Sequence, residues 1–268
     1  DEQLNALTYN LPKLEWRFLG ICVGQACNLK CRDCMNFAPF ALKENYRYSI
    51  DRIKEDIDNV LQYFSEIDTF HIQGGEPFLY TDLGELLYYC KTKFGNVLKN
   101  IQIATNGTII PNKDILDAVA GTKTIIRISN YPGQTNSEAL IKTLEQYGIS
   151  YKKYNFANRL GEWSLGGGID YAVSEDEDVE SKFFNCKWNT CYTIENSMIG
   201  RCARSIPAQT LQKINIKEND YIDLRQENDL TRIGKYFMFL NPMTCCWHCK
   251  GSQGEPIQPA IQIRHGEE

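Results

Sequence analysis

The segment WRFLGICVGQACNLKCRDC, residues 16–34, joins an apolar run to three closely spaced cysteines. Its first part, Arg17 to Val23, predicts a β-strand, because aromatic and β-branched residues favour extended backbone. Cys27, Cys31 and Cys34 follow directly, so we expect them to share one loop at the carboxyl end of that strand. Proteins with α/β folds build their functional sites at this end of the strands.

Downstream, short apolar runs alternate with amphipathic stretches as far as about residue 155. This alternation predicts βαβ units and a parallel sheet. The further strands are predicted at Thr69 to Gln73, Asn100 to Thr105, Thr124 to Ser129 and Ile149 to Tyr154. Helices are predicted after Ser49, with an apolar stripe from Ile50 to Phe64, and at Leu83 to Phe94, Lys113 to Ala120 and Ser137 to Tyr147.

The composition restricts the class of protein. With 43% hydrophobic and 24% charged residues and no long uncharged apolar stretch, the 268-residue chain is typical of a globular protein without a membrane span. A net charge of -5 argues against a broad nucleic-acid-binding face, so a small-molecule substrate is expected. The eleven cysteines are clustered and odd in number, which predicts metal binding in a reducing, cytoplasmic compartment.

Three thiolates on one loop suit a 4Fe-4S cluster, since they can hold three irons and leave the fourth open to another ligand. The alternatives are a zinc site, which needs a fourth protein ligand, and buried thiols without a role. A second motif favours the cluster. Gly74-Gly75-Glu76-Pro77 follows the second predicted strand, where paired glycines let backbone groups approach a ligand closely.

In this order and on these elements, the two motifs resemble those of the radical S-adenosylmethionine (SAM) superfamily over roughly residues 16 to 155. The resemblance implies an α/β fold with a partial (β/α)6 barrel, and a SAM-binding 4Fe-4S cluster on the first three cysteines. It also implies that Gly74, Gly75 and Glu76 hold the methionine amine, and that Pro77 belongs to the same SAM-binding motif. The expected chemistry is reductive cleavage of SAM to a 5'-deoxyadenosyl radical, with electrons from a flavodoxin- or ferredoxin-type donor.

The same resemblance assigns further SAM contacts to the ends of the third and fourth strands, namely Thr105, Asn106, Ser129 and Asn130. The alternative for these residues is ordinary turn chemistry. The first loop also departs from the family pattern. Asp33 stands before the third cysteine where relatives carry an aromatic residue near adenine, so Phe37 or Phe40 is expected to take that role.

Six more cysteines lie near the C-terminal end, on either side of a gap, at Cys186, Cys191, Cys202, Cys245, Cys246 and Cys249. A hairpin is predicted between Cys191 and Cys202, turning at Asn196-Ser197. This arrangement resembles the twitch domain, a short relative of the SPASM domain that holds an auxiliary 4Fe-4S cluster. The implied ligands are Cys186, Cys202, Cys246 and Cys249, with Cys191 as the rival to Cys186.

Other interpretations of this second group stay open. Four thiolates hold zinc equally well, and His248 makes a mixed site conceivable. A full SPASM domain with two auxiliary clusters would need roughly eight ligands, which is more than the six C-terminal cysteines supply. The spare thiols of Cys245 and Cys191 are candidate hydrogen-atom donors to a substrate radical, or else inert packing residues. Cys22 and Cys90 are predicted to lie in the core.

We therefore expect a radical SAM core over residues 1–160, extending to about 180, a small hairpin-plus-helix auxiliary domain over 181–255, and a tail over 256–268. The predicted substrate is a small polar molecule such as an amino sugar, cyclitol or nucleotide-linked sugar, which is dehydrogenated, epimerised or deoxygenated. The alternatives are a ribosomal-peptide maturase and a non-catalytic metal-binding interaction protein. Candidate substrate contacts are Lys152, Lys153, Tyr154, Arg159 and Trp163.

Overall fold

The computed structural model describes residues 13–131, 133–155, 163–167, 172, 174, 177–211, 220–226, 230–238 and 240–264. Eight strands form one sheet. They are β1 (Leu14–Cys22), β2 (Phe64–Gln73), β3 (Ile101–Thr105), β4 (Thr124–Asn130), β5 (Tyr151–Asn155), β6 (Thr193–Glu195), β7 (Met198–Gly200) and β8 (Tyr221–Asp223).

The strand order is β5-β4-β3-β2-β1-β6-β7-β8. From β5 to β6 all neighbouring strands pair in parallel, and β7 and β8 add antiparallel pairs at one edge. Among the described residues, the sheet does not close on itself. This confirms the predicted α/β fold with a partial barrel.

Seven helices are described: α1 (Ile50–Leu61), α2 (Leu83–Phe94), α3 (Lys113–Ala120), α4 (Glu138–Gln146), α5 (Val179–Phe184), α6 (Ser205–Thr210) and α7 (Leu230–Met238). The predicted limits of α2 and α3 are confirmed. The first helix ends at Leu61, so the prediction that its stripe extends to Phe64 was wrong. Phe64 begins β2 instead, where its buried aromatic ring packs against Phe237.

One face of the sheet packs against the helices. Ile21, Ile72, Ile103 and Ile126 are paired across four adjacent strands and are at most 1% exposed. Since side chains alternate along a strand, the neighbouring row points to the opposite face. That row includes His71 and carries polar groups, which puts the chemistry on the face away from the helices.

The hairpin predicted between Cys191 and Cys202 is confirmed. Strands β6 and β7 meet at Asn196 and Ser197, whose φ angles of 48° and 61° are those of a tight left-handed turn. The Ser197 amide donates to the Asp56 carboxylate on α1 over 3.0 Å. Strand β6 also pairs in parallel with β1, so the hairpin continues the sheet that carries the first cysteine loop.

The division into domains stays a prediction, because its proposed boundary near residue 157 lies outside the described residues. The same holds for Arg159 as a substrate contact. Cys22 and Cys90 are buried in the main core, as predicted. Within the described part of the chain, no helix has the length and apolar character needed to cross a membrane.

Candidate functional site

The first cysteine group lies on the loop after β1, as predicted. Burial together with the negative charges of Glu76, Cys34 and Cys31 raises the pKa of the Cys27 thiol to about 12. Burial likewise raises the pKa of Cys31 to about 11. These thiols therefore lie within electrostatic reach of one another. Buried thiols stay protonated at neutral pH unless a positive charge such as a bound metal stabilises the thiolate.

The glycine turn after β2 lies directly against this loop. A Cβ atom on Gly75 would lie 2.3 Å from the Ala26 carbonyl oxygen, and one on Gly74 would lie 2.3 Å from the Gly24 carbonyl oxygen. Backbone bonds join the two segments, from the Gly75 amide to Gly24 over 2.9 Å and from the Glu76 amide to Ala26 over 2.8 Å. Only glycine permits this approach, which explains why both positions lack a side chain.

Glu76 fixes a third segment to the same place. Its carboxylate, 2% exposed, accepts hydrogen bonds from the Thr105 hydroxyl over 2.8 Å and from the Asn106 amide over 2.7 Å. It also accepts from the Phe78 amide over 3.1 Å. Burial raises the pKa of Glu76 to about 7, and these three donors oppose the rise. The carboxylate thus ties the end of β3 to the glycine turn.

The Asn106 side chain extends this link to the first cysteine loop. Its amide donates to the Asn28 side-chain oxygen over 2.9 Å and lies 3.9 Å from the Cys27 sulfur. Asn28 in turn donates to the Thr108 hydroxyl over 2.8 Å. Thr105 and Asn106, both predicted as SAM contacts, are therefore brought to the cysteine loop together with Glu76.

The other predicted SAM contacts lie at the end of β4. Asn130 is engaged elsewhere, because its amide donates to Asn155 over 2.8 Å and its oxygen accepts from Ser137 over 3.2 Å. Ser129 hydrogen-bonds the Tyr131 hydroxyl, whose pKa is raised by burial and by the charges of Cys31 and Cys34. Contact between this pair and SAM stays a prediction.

The two candidates for the adenine-stacking aromatic differ in their surroundings. Phe37 is buried, and the Arg204 guanidinium lies 4.3 Å from its ring centroid. Phe40 is 42% exposed. Asp33, which stands in the usual aromatic position, forms an ion pair with Arg32 over 3.2 Å. Phe40 therefore has the freer ring of the two.

A buried carboxylate that was not predicted from the sequence also anchors the first cysteine loop. Glu195, at the end of β6, accepts from the Gln25 side-chain amide over 2.7 Å and from the Tyr48 hydroxyl over 2.9 Å. Burial raises its pKa, and the donors oppose this. Because Gln25 stands two residues before Cys27, the hairpin of β6 and β7 is tied directly to the first cysteine loop.

The C-terminal cysteines gather around one cavity, which is lined by Cys186, Cys202, Cys245, Cys246 and Cys249. Cys191 is not in that lining, but its pKa is raised to about 11 by burial and by the charge of Cys186. The Cys245 thiol hydrogen-bonds Cys246, and this bond raises the pKa of Cys245 and lowers that of Cys246. Cys245 is 4% exposed and packs against Phe183 and Met243.

One buried cation lies between the two cysteine groups. Arg204, 4% exposed, donates to the Gly167 carbonyl oxygen and lies 3.9 Å from the Met35 sulfur. Burial raises the pKa values of Cys34 and Cys249, and the Arg204 charge opposes both increases. A single guanidinium therefore favours thiolates at both sites. The sequence offered no sign of this, since the two cysteines are far apart in the chain.

The face of the sheet away from the helices is polar near its centre. His71 hydrogen-bonds Gln102 over 3.0 Å, and its pKa is lowered to about 4 by burial and by the nearby charge of Arg127. The Arg127 guanidinium lies over the Tyr154 ring, 4.9 Å from its centroid, and its buried Nε has no hydrogen-bond partner among the described residues. Arg127 also lowers the raised pKa of Cys191. These groups give this face hydrogen-bonding side chains and a positive charge.

The donor chemistry fits a 4Fe-4S cluster on the first loop. Cys27, Cys31 and Cys34 supply three thiols, and the glycine turn leaves backbone groups beside them. In the ranges that the structure describes, no three His, Cys, Asp or Glu side chains are close enough together to hold a metal ion. The choice between iron and zinc therefore depends on the chemistry of the three thiols and on the family to which the chain belongs.

The family model described as Radical SAM superfamily matches residues 21–154, which include the three cysteines, the glycine turn and strands β2 to β4. The chain belongs to the radical SAM superfamily. Membership implies a 4Fe-4S cluster and SAM. It also favours iron over zinc at the first loop.

Curated relatives match only parts of the chain. The GTP 3',8-cyclase 3 of Mycobacterium tuberculosis is 31% identical over 98 residues, which are 35% of this chain and 25% of that protein. The antilisterial bacteriocin subtilosin biosynthesis protein AlbA of Bacillus subtilis is 32% identical over 179 residues, which are 60% of this chain and 37% of AlbA. The chain thus spans well under half the length of these relatives.

Solved structures extend the likeness in fold. BtrN in complex with AdoMet and 2-DOIA has a TM-score of 0.58 at 12% identity and covers 94% of this chain and 100% of its own. Native anSMEcpe with bound AdoMet has a TM-score of 0.54 at 14% identity and covers 84% of this chain and 83% of its own. At these identities the likeness concerns the fold alone.

Proposed function

We propose that the chain is a radical SAM enzyme with two 4Fe-4S clusters that abstracts a hydrogen atom from a small polar substrate. One observation supports this proposal most strongly. The first cysteine loop, the glycine turn and the end of β3 all meet at Glu76. When bound, SAM and the cluster supply the 5'-deoxyadenosyl radical. Electrons for the cleavage would come from a flavodoxin- or ferredoxin-type protein.

The chain's own residues prepare the site for this chemistry. Cys27, Cys31 and Cys34 bind the cluster and leave one iron without a protein ligand. Gly74 and Gly75 keep the glycine turn packed against the first cysteine loop, beside the place where SAM is expected to bind. Because Glu76 anchors Thr105 and Asn106, this part of the SAM site is already in place before the ligand arrives.

The auxiliary cluster is assigned to Cys186, Cys202, Cys246 and Cys249. The shared cavity supports this set, and the absence of Cys191 from its lining favours Cys186 over its rival. The same proposal includes a twitch-type domain, an oxidation or epimerisation step, and a hydrogen-donor role for Cys191 or Cys245. Of these two thiols, Cys191 lies within electrostatic reach of Arg127 on the polar face, whereas Cys245 is packed among apolar side chains.

The proposed substrate is an amino sugar, cyclitol or nucleotide-linked sugar. The polar face around His71, Gln102 and Arg127 supports this class, because its donors suit hydroxyl and phosphate oxygens. The full-length likeness to BtrN, which was solved with 2-DOIA, is compatible with it. The second candidate is a peptide maturase, which the similarity to AlbA, a bacteriocin biosynthesis protein, favours.

Anaerobic reconstitution tests the two-cluster proposal. We expect roughly eight irons per chain, two cubes of four, and reductant-dependent formation of 5'-deoxyadenosine. Changing Cys27 to Ala should abolish SAM cleavage and remove about four irons. Changing the buried core residue Cys90 to Ala is the control and should leave SAM cleavage and iron content unchanged. SAM cleavage at the wild-type rate by the Cys27 variant would show that the assignment is wrong.

The second cluster and the substrate have separate tests. Cys186→Ala should lower the iron content by about four, and Cys191→Ala should not, if Cys186 is the ligand. Zinc in place of those irons would contradict the auxiliary cluster. For the substrate, deuterium transfer into 5'-deoxyadenosine from a deuterated cyclitol or amino sugar would support the sugar class, and transfer from a precursor peptide alone would support the maturase.

A further inference from the structure

Residues 260–263 run antiparallel to the first cysteine loop. The Arg32 amide donates to the Ile261 carbonyl oxygen over 2.8 Å, and the Ile263 amide donates to the Lys30 carbonyl oxygen over 2.7 Å. This short bridge pairs Cys31 with Gln262. The backbone of the first cysteine loop is thus held by a segment in which Gln262 lies 232 positions after Lys30.

The Gln262 side chain makes three contacts within this bridge. Its oxygen accepts from the Lys30 amide over 2.7 Å, and its nitrogen donates to the Ala260 carbonyl oxygen over 2.7 Å. The same nitrogen donates to the Cys31 sulfur over 3.4 Å. The two backbone partners fix the orientation of the amide, because the reverse orientation would place donor against donor and acceptor against acceptor. The N–H group therefore points at the sulfur.

The segment before Gln262 is itself anchored. Ala260 is fully buried and has a φ angle of 56°, which marks the turn into the bridge. Upstream, the Leu165 amide donates to the Glu255 carbonyl oxygen over 2.9 Å, and the Ile257 amide donates to the Trp163 carbonyl oxygen over 2.9 Å. These bonds hold the upstream end of the segment and the bridge holds the other, so the position of the glutamine does not depend on the loop alone.

We propose that Gln262 is a positioning residue that raises the reduction potential of the cluster on the first loop through its hydrogen bond to the Cys31 sulfur. Reduction adds one electron to the cluster and increases the negative charge on the ligand sulfurs. A fixed N–H donor stabilises that charge more in the reduced state than in the oxidised state. The glutamine thereby favours the electron transfer on which SAM cleavage depends.

This inference requires only the cluster that superfamily membership implies, and not the auxiliary cluster or the proposed substrate. Absence of any cluster on Cys27, Cys31 and Cys34 would defeat the proposed function. A normal cluster whose reduction potential does not change when Gln262 is replaced would contradict the role of Gln262 alone. The two failures are therefore distinguishable in one set of samples.

The test is a redox titration of the reconstituted protein, followed by the EPR signal that changes when SAM is added. Gln262→Met keeps the length of the side chain and removes both the donor and the acceptor. At a fixed ambient potential, we expect the ratio of reduced to oxidised cluster to fall about fivefold, the factor expected for one hydrogen bond of ordinary net strength. Gln258→Met, at an exposed position of the same segment, is the matched control and should titrate like wild type.

An unchanged potential in Gln262→Met with wild-type iron content would overturn the proposal, as would equal shifts in both variants. If Gln262→Met fails to retain iron, the wild-type protein with 15N in its glutamine side chains decides the matter. A 15N hyperfine coupling in the SAM-responsive EPR signal supports the contact, and its absence refutes it. Neither measurement depends on catalytic turnover.

Discussion

Changing Gly75 to Ala should force the glycine turn away from the first cysteine loop. The added methyl group would lie 2.3 Å from the Ala26 carbonyl oxygen and 2.5 Å from the Gln25 carbonyl oxygen. Side-chain Cβ atoms essentially never approach another atom within 3.0 Å. Both obstructing atoms belong to the backbone, so no side-chain rotation relieves the clash and the two segments must separate.

Separating the two segments destabilises the folded state, because it crowds the backbone and stretches two backbone hydrogen bonds. Overpacking of this kind costs about 1–3 kcal/mol. The Gly75 amide bond to Gly24, 2.9 Å long, and the Glu76 amide bond to Ala26, 2.8 Å long, would both weaken. Because each of the two weakened hydrogen bonds adds at most about 1 kcal/mol, we expect the free energy of unfolding to fall by roughly 1–5 kcal/mol.

Urea unfolding of the variant measures this loss, and iron content after anaerobic reconstitution reports on the loop. Gly234→Ala in α7 is the matched control, because no atom of the residues that the structure describes lies within 4 Å of its added methyl group. That substitution should stabilise the protein by about 0.5–1 kcal/mol, since alanine favours helix. A Gly75→Ala protein within about 0.5 kcal/mol of wild type and with full iron content would refute the clash argument.

Three further predictions concern buried charges. Burial raises the pKa of Asp56 to about 6 from its ordinary 3.8, so the folded state keeps a proton that the unfolded chain releases as the pH rises between these values. Stability from this group should fall over that range by at most about 1.4 kcal/mol per pH unit, and Asp56→Asn should flatten the slope in urea unfolding; parallel curves would contradict this. Arg204→Met should raise the pKa of the Cys34 and Cys249 thiols in cluster-free protein, because the charge that opposes both increases is lost. Alkylation rates across pH measure this shift, and unchanged profiles would exclude the electrostatic role. Glu195→Ala should cost about 1–3 kcal/mol, since two buried donors lose their acceptor, whereas Glu195→Gln keeps an acceptor and should cost less. Equal losses of unfolding free energy in the two Glu195 variants, measured by thermal or urea unfolding, would contradict this explanation.

The barrel and its first site were predictable because their signals are local. Strand periodicity located β1 to β5, and the limits of α2 and α3 followed from helical spacing and flanking residues. The hairpin turn at Asn196-Ser197 was also predictable, since both residues tolerate the turn conformation. Phe64 was misassigned because a helical stripe and the first residue of a buried strand look alike in a short apolar run.

The residues that the sequence did not reveal act across long distances in the chain. Glu195 contacts Gln25, and Gln262 contacts Cys31, through pairings that no spacing rule encodes. Arg204 is one of many arginines until the fold places it between two cysteine groups. Such contacts depend on how β6 and the segment around residue 262 return to β1, which is a property of topology rather than of local pattern.

The bridge between the first cysteine loop and residues 260–263 has a consequence for biosynthesis. Lys30 and Gln262 are separated by 232 positions. At translation rates of about 5–20 residues per second, the loop emerges from the ribosome roughly 10–50 s before its partner segment. During that interval the thiols lack their outer backbone support, so delivery of iron and sulfide by assembly factors would be completed only after most of the chain has been made.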